Sequence, residues 1–257
     1  MMGHPCMFYE ETDSTNLRAR QLADEGAVHG TLVWAERQTA GRGRRGRAWD
    51  SSSGEAIYMS LLLRPEIEAS HASMLTLVMG LAAANACNEL LELELGKTAP
   101  KVQLKWPNDL VLNGKKIAGI LTEMRADIAQ IQDVIIGMGI NVNTKAFPEE
   151  LTAASSLARE TGKVYDREKL LALCMKQFED CYEKFVQRED LSELRDAYEC
   201  LLVNCGRTVR VLEPGHEYQG FARGINAQGE LLVERETGEI TAVYAGEVSV
   251  RGVYGYV

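Results

Sequence analysis

Several things are missing from this chain of 257 residues. No run approaches the roughly 18–20 uninterrupted apolar residues that a membrane helix requires. The opening stretch, Met1-Met2-Gly3-His4-Pro5-Cys6-Met7-Phe8, reaches Glu10 without a basic leader or an apolar segment of signal-peptide length. These absences predict a cytoplasmic protein with no membrane partner. The six cysteines (Cys6, Cys87, Cys174, Cys181, Cys200, Cys205) contain no Cys-x-x-Cys pair, and His4, His29, His71 and His216 are too scattered to complete a zinc site. Reduced thiols are expected, with Cys174 and Cys181, seven apart in a helical pattern, sharing a buried face. Positive charge is also in short supply. Lys plus Arg number 28 against 37 Asp plus Glu, a net charge of −9. A protein that lives on nucleic-acid backbones shows the opposite balance, so no DNA binding is expected. No internal repeat or low-complexity segment is present.

What is there suits an ordinary globular protein: 46% hydrophobic and 25% charged residues. A chain of this length buries roughly 70–75% of its unfolded surface and needs no staples. Asp13-Ser14-Thr15-Asn16 is a cluster of helix-capping residues, and a helix should run from it to near Gly26. Strands are predicted over 31–36 and 56–63, and a largely buried helix over 70–91. Residues 102–104 and 110–112 read as extended. Asn113-Gly114 is a strong hairpin signal, so 116–124 should return antiparallel. A further strand over 131–138 runs into Gly137-Met138-Gly139-Ile140-Asn141, and helices are expected over 167–188 and 191–200. After Cys205 the texture changes to five short β-rich runs (208–212, 218–225, 231–234, 240–244, 247–250) separated by Pro214-Gly215, Gln228-Gly229 and Thr237-Gly238. That spacing predicts a small barrel. The expected organisation is an α+β body of residues 1–204, built on a mixed sheet, and a β-barrel unit of residues 205–257.

One loop reverses the charge balance. Residues 41–47 read Gly-Arg-Gly-Arg-Arg-Gly-Arg, four arginines in seven residues of an acidic chain. Arginine supplies a fixed charge and a planar donor fork for carboxylate and phosphate oxygens, and the glycines let the backbone approach a ligand. Such a loop should repel itself when empty and order around an anion. The string also matches a dinucleotide fingerprint, but Asp50-Ser51-Ser52-Ser53-Gly54 and a strand follow it, with no helix N-terminus to receive a pyrophosphate. A solvated basic loop and a nucleic-acid patch are the other readings. The second informative stretch is Lys105-Trp106-Pro107-Asn108-Asp109 with Lys115-Lys116-Ile117-Ala118-Gly119-Ile120. In isolation the Pro-Asn-Asp run reads as a turn and the lysine pair as a hairpin flank. Beside the arginine loop they suggest more: Lys116 can neutralise an oxyanion, Asp109 can hold magnesium, a ribose or an amino group, and Gly119 leaves room for a flat ligand.

Taken in order, these motifs resemble the biotin protein ligases. The matching residues are Asp13-Ser14-Thr15-Asn16, Gln38 to Trp49 with its arginine loop, Lys105 to Asp109, Lys116-Ile117-Ala118-Gly119 and Gly137 to Asn141. The resemblance implies a mixed-sheet catalytic domain related to class II tRNA synthetases and lipoate ligases, with an SH3-like C-terminal barrel. It assigns biotin contacts to Ser14, Thr15, Asn16, Gln38, Arg42, Gly43, Arg44 and Lys116, over a floor of Gly119 and a Gly137–Gly139 turn. The nucleotide side falls to Arg44, Arg47, Trp49, Asn108, Asp109 and Asn141. Lys116 and Arg42 are the candidate catalytic residues, neutralising carboxylate and α-phosphate. ATP and biotin are the implied substrates, with Mg2+ carried mainly by the phosphates and Asp109 as its one candidate ligand. The implied partner is the biotin carboxyl carrier protein domain of a carboxylase, and exposed strand edges allow a homodimer. Two departures are notable. With Ser14-Thr15-Asn16 so early, no room is expected for the DNA-binding domain of family repressors, and residues 150–160 lack a tryptophan to stack on adenine. A lipoate ligase or octanoyl transferase of the same fold is the runner-up, against which the arginine loop argues.

Overall fold

In the computed structural model, residues 1–51, 54–127, 130–212, 217–245, 249–252 and 256–257 are described. Ser52, Ser53, Pro214, Gly215, His216 and Glu247 therefore lie outside the described residues. Seven strands form one sheet in the order β1-β2-β3-β7-β6-β5-β4. They are β1 (Cys6–Thr12), β2 (Leu32–Gln38), β3 (Ala56–Leu63), β4 (Gln103–Lys105), β5 (Asp109–Leu112), β6 (Lys115–Ala126) and β7 (Ile131–Asn141). β1 and β2 pair in parallel and the other neighbours antiparallel, so the sheet is mixed, as expected.

Two helical layers use the two sheet faces differently. Helix α2 (Leu75–Leu95) packs with α4 (Arg167–Arg188) on the face that carries Ile57, Met59 and Leu61 of β3 and Ile136, Met138 and Ile140 of β7. This is the main core. The helix with its preceding 3₁₀ turn, Ala69–Leu95, is long and apolar enough to cross a membrane, but 78% of that window is buried inside the protein. On the opposite face α1 (Thr15–Asp24) packs at one end, setting Ala19 and Ala23 against Val33, Leu62 and Ile135. Beyond the N-terminus of α1 the cleft lies on that face. Every residue of β3 is buried, which removes the alternation that a half-exposed strand would show.

One expectation needs correction. The Gly137–Gly139 segment is not a turn but the middle of β7, flanked by β3 and β6. The extended readings at 102–104 and 110–112 correspond to β4 and β5, which pair antiparallel with Lys105 opposite Asp109 and Trp106-Pro107-Asn108 as the turn. Lys116 departs from the period-two face of its strand. A bulge at Leu110/Val111 pairs Val111 with Lys116 and Leu110 with Ala118. The extra residue, Ile117, re-aims Lys116.

After α3 (Leu157–Thr161), α4 and α5 (Arg195–Leu201) comes a five-stranded antiparallel sheet of order β11-β10-β9-β8-β12. Its strands are β8 (Thr208–Leu212), β9 (Tyr218–Ile225), β10 (Leu231–Glu234), β11 (Ile240–Val243) and β12 (Ser249–Gly252). Trp106 locks this unit to the body. It is fully buried, its Nε1–H donates to the Gly229 carbonyl at 2.9 Å, and its backbone N–H donates to Asn204 Oδ1 at 2.9 Å. All six cysteines are free, and Cys174 and Cys181 are both buried along α4.

Candidate active site

Strand register builds the floor of the cleft. Tyr58 pairs with Gly139, Gly139 with Gly119, Gly119 with Asp109, and Asp109 with Lys105. Directly paired residues share a sheet face. One row across five strands therefore carries an aromatic ring, two bare glycines, a carboxylate and an ammonium. The bulge adds Lys116 to this face: a Cβ on Gly119 would lie 3.1 Å from Lys116 Nζ.

The arginine loop covers this row. Its backbone closes on itself, with Arg42 bridged to Ala48, Gly43 N–H donating to the Arg47 carbonyl at 2.7 Å, and Trp49 N–H donating to the Gly41 carbonyl at 2.9 Å. Arg45, at φ 60°, turns the tip through the left-handed region. The expected self-repulsion is met by pairing. Arg42 lies 3.2 Å from Glu123, and Arg44 donates to Asn108 Oδ1 at 2.8 Å and to the Ala245 carbonyl at 2.6 Å. Burial pulls the Arg44 guanidinium below its ordinary pKa, and Asp109 works against that pull. The Trp49 ring lies on the glycines: a Cβ on Gly139 would meet its Cε2 at 2.5 Å, and one on Gly119 its Cζ3 at 2.8 Å. The buried indole Nε1 has no hydrogen-bond partner among the described residues.

Two adjoining cavities result. The smaller has about 450 Å³ of empty space and is lined by all the residues expected around biotin: Ser14, Thr15, Asn16, Gln38, Arg42, Gly43, Arg44, Lys116, Gly119, Gly137 and Gly139. Its polar end is a fixed network. Gln38 Oε1 accepts from the Thr15 backbone N–H at 2.8 Å, in place of the Ser14 side-chain cap expected for this helix. Asn16 Nδ2–H donates to Glu123 at 2.8 Å, and the Ser60 hydroxyl lies 2.6 Å from Asn16 Oδ1 and 2.8 Å from Thr15 Oγ1. The larger cleft, about 1650 Å³, takes in all the expected nucleotide residues: Arg44, Arg47, Trp49, Asn108, Asp109 and Asn141. Among these, Asn141 Nδ2–H donates to the Ser155 carbonyl at 3.1 Å. Gly43, Arg44, Trp49, Asn108 and Lys116 line both cavities and form the wall they share.

At that wall Lys116 Nζ lies 2.6 Å from Asp109 Oδ1. Burial alone would raise the Asp109 pKa, but Lys116 and Lys105 outweigh it and hold the carboxyl below its ordinary value. Burial takes Lys105 down to about 8, against the opposing attraction of Asp109. Ser60, Glu123, Lys105 and Tyr256 belong to this site but were not singled out for it from sequence. Lys105 had a signal, since it opens the motif ending in Asp109. Ser60, Glu123 and Tyr256 had none, because only the sheet register and the packing of the C-terminal unit bring them in.

The model of the biotin/lipoate A/B protein ligase family matches residues 8–141. The chain belongs to that family. The biotin protein ligase C terminal domain matches residues 205–251. Among relatives of this ligase family, the bifunctional ligase/repressor BirA of Bacillus subtilis is 35% identical over 253 residues, 97% of this chain and 75% of that protein. The biotin–[acetyl-CoA-carboxylase] ligase of Paracoccus denitrificans is 33% identical over 245 residues, covering 94% and 98% of the two chains. The structure of the biotin protein ligase from Aquifex aeolicus in complex with biotin and ATP superposes with a TM-score of 0.84 at 33% identity, over 97% of this chain and 99% of that one.

Proposed function

We propose that this ligase activates biotin with ATP to give biotinyl-5'-AMP and pyrophosphate, then transfers biotin to a lysine of a biotin carboxyl carrier protein domain. The observation that carries the reading is the shared wall: a small cavity suited to an acid and a larger one suited to a nucleotide meet at Lys116, Arg44 and Asn108. The small cavity offers amide and hydroxyl groups at one end and a side-chain-free glycine floor, which suits a flat bicyclic ring with a polar ureido edge. The acid's carboxylate then projects toward the wall and attacks the α-phosphorus in line, with pyrophosphate leaving. The protein's work is positioning and charge neutralisation. Lys116 and Arg42 neutralise the carboxylate and the α-phosphate, while Arg44 and Arg47 follow the phosphates. In the second step the carrier lysine amine attacks the mixed anhydride and AMP leaves.

Among the described residues, no group of three or more His, Cys, Asp or Glu forms a metal cage. Asp50, Asp109 and Glu150 line the larger cleft without clustering, which fits magnesium arriving on the nucleotide rather than held by the protein alone. Bound there, the ion would neutralise phosphate charge. We take residues 1–204 as the catalytic domain and 205–257 as an SH3-like unit, and the cytoplasm as the place of action. Among the described residues the outer edge of β1 is unpaired, which leaves a homodimer open to test by sedimentation. The deciding experiment is ATP–pyrophosphate exchange with magnesium, run with biotin, with lipoate and with neither acid. Exchange with biotin alone is expected. Exchange with lipoate alone would overturn the substrate, and no exchange with either would overturn the adenylation.

A further inference from the structure

The C-terminal unit reaches into the nucleotide side through Val250 and Arg251, through the Ala245 carbonyl on Arg44, and through Tyr256, whose hydroxyl donates to Asp109 Oδ2 and whose ring lies 4.3 Å from Lys105 Nζ. Both oxygens of Asp109 are thereby taken, one by Lys116 and one by Tyr256. Around them the cleft is strongly unbalanced. Arg44, Arg45, Arg47, Lys105, Lys116 and Arg251 line it against Asp50, Asp109 and Glu150 among the described residues. Such a set is built for an anion of several charges. Without one, the face of an aromatic ring is a weak stand-in for Lys105, and a phenol O–H is a neutral cap for Asp109. A triphosphate is the better partner for Lys105, and the hydroxyl's bond to Asp109 is what keeps the ring over that ammonium.

We infer that Tyr256 is a competitor of the nucleotide, holding Lys105 and Asp109 through its ring and hydroxyl until ATP displaces it. The inference rests on the ligase reading, because it takes the larger cleft as the ATP side. Tyr256 is therefore a specificity and affinity element supplied by the C-terminal unit, and it acts on ATP and not on the acid. Removing its hydroxyl should tighten nucleotide binding, whereas a residue that merely walls the site would weaken binding when removed.

The test is isothermal titration of magnesium ATP, without biotin, into the wild-type chain, Tyr256→Phe and Tyr256→Ala, with biotin titrated separately. Tyr256→Phe should bind ATP about five- to tenfold more tightly, the effect of one hydrogen bond to a charged group partly replaced by water. Tyr256→Ala should bind at least as tightly as Tyr256→Phe, and the Kd for biotin should not move in either variant. ATP binding by Tyr256→Phe that is equal to or weaker than wild type overturns the inference and leaves the ligase reading standing. A wild-type chain that binds no ATP without biotin overturns the inference, and one that also shows no biotin-dependent ATP–pyrophosphate exchange overturns the ligase reading as well.

Discussion

Gly137→Ala tests how the acid pocket is held. Gly137 sits inside β7 between Ser60 and Leu121, with no positive φ, so its backbone accepts alanine without strain. Loss of glycine's freedom in the unfolded chain should by itself stabilise by about 0.4–1 kcal/mol. The cost comes entirely from Asn16. The new Cβ would lie 2.8 Å from Asn16 Cγ and closer still to Oδ1. Asn16 is only 5% exposed and is fixed by Ser60 and Glu123, so it cannot yield without breaking both contacts. Overpacking costs about 1–3 kcal/mol. Loss of one ordinary and one charge-assisted hydrogen bond costs about 2–4 kcal/mol more, part of it alternative to the overpacking. The net expectation is about 2–4 kcal/mol of destabilisation, a fall in Tm of about 5–15 °C by calorimetry. Biotin affinity should fall at least about tenfold, the effect of losing one hydrogen-bonding group at the polar end. Asn16→Ala removes the obstruction. The double variant should therefore be more stable than the sum of the single costs by about 1–3 kcal/mol. Additive costs, or a Tm within about 2 °C of wild type, would refute the argument.

Other outcomes follow from the same geometry. Lys116→Ala should lower the rate of adenylate formation, and Arg42→Ala should mainly weaken adenylate retention; pulse-chase of bound adenylate separates them, and wild-type turnover in both would sink the assignment. Lys105 makes a pH prediction. Its pKa of about 8 lies below the ordinary 10.5, so between those values the unfolded chain binds more protons and this group's contribution to stability rises with pH. ATP binding runs the other way, weakening as pH rises through 8 and Lys105 loses its charge, and Lys105→Arg should flatten that profile; a wild-type KM for ATP that is flat from pH 7 to 9.5 would contradict it. Asp133 is fully buried between Arg20 and Arg125. Asp133→Asn should cost about 3–5 kcal/mol in urea denaturation, and an unmoved midpoint would show that the pair carries no net stability.

Much of the fold was written in local signals. The limits of β3, the hairpin at Asn113-Gly114 and the span of α4 all follow from periodicity and turn chemistry, and the motif residues expected around the two ligands do line two adjoining cavities. Strand β1 carries no such signal because it is an edge strand. Six of its seven residues are not buried, which leaves no alternating apolar face to detect. The helix predicted over 191–200 begins later, at Arg195.

Residue chemistry along the chain thus determined which side chains could handle an acid and a nucleotide: arginines with fixed charge, lysines beside a carboxylate, and glycines that leave a surface bare. Tertiary structure alone decided how they meet. Lys116 shares a face with Gly119 only because the β5–β6 ladder carries a bulge, and strict alternation would have pointed it away. Gly137 and Gly139 form a floor because β3 and β6 flank them, and Glu123, Ser60 and Tyr256 enter through register and docking between units. Register, bulges and docking depend on contacts between residues far apart in sequence. No local pattern encodes them, because each is selected by the burial of the whole sheet and not by any one segment.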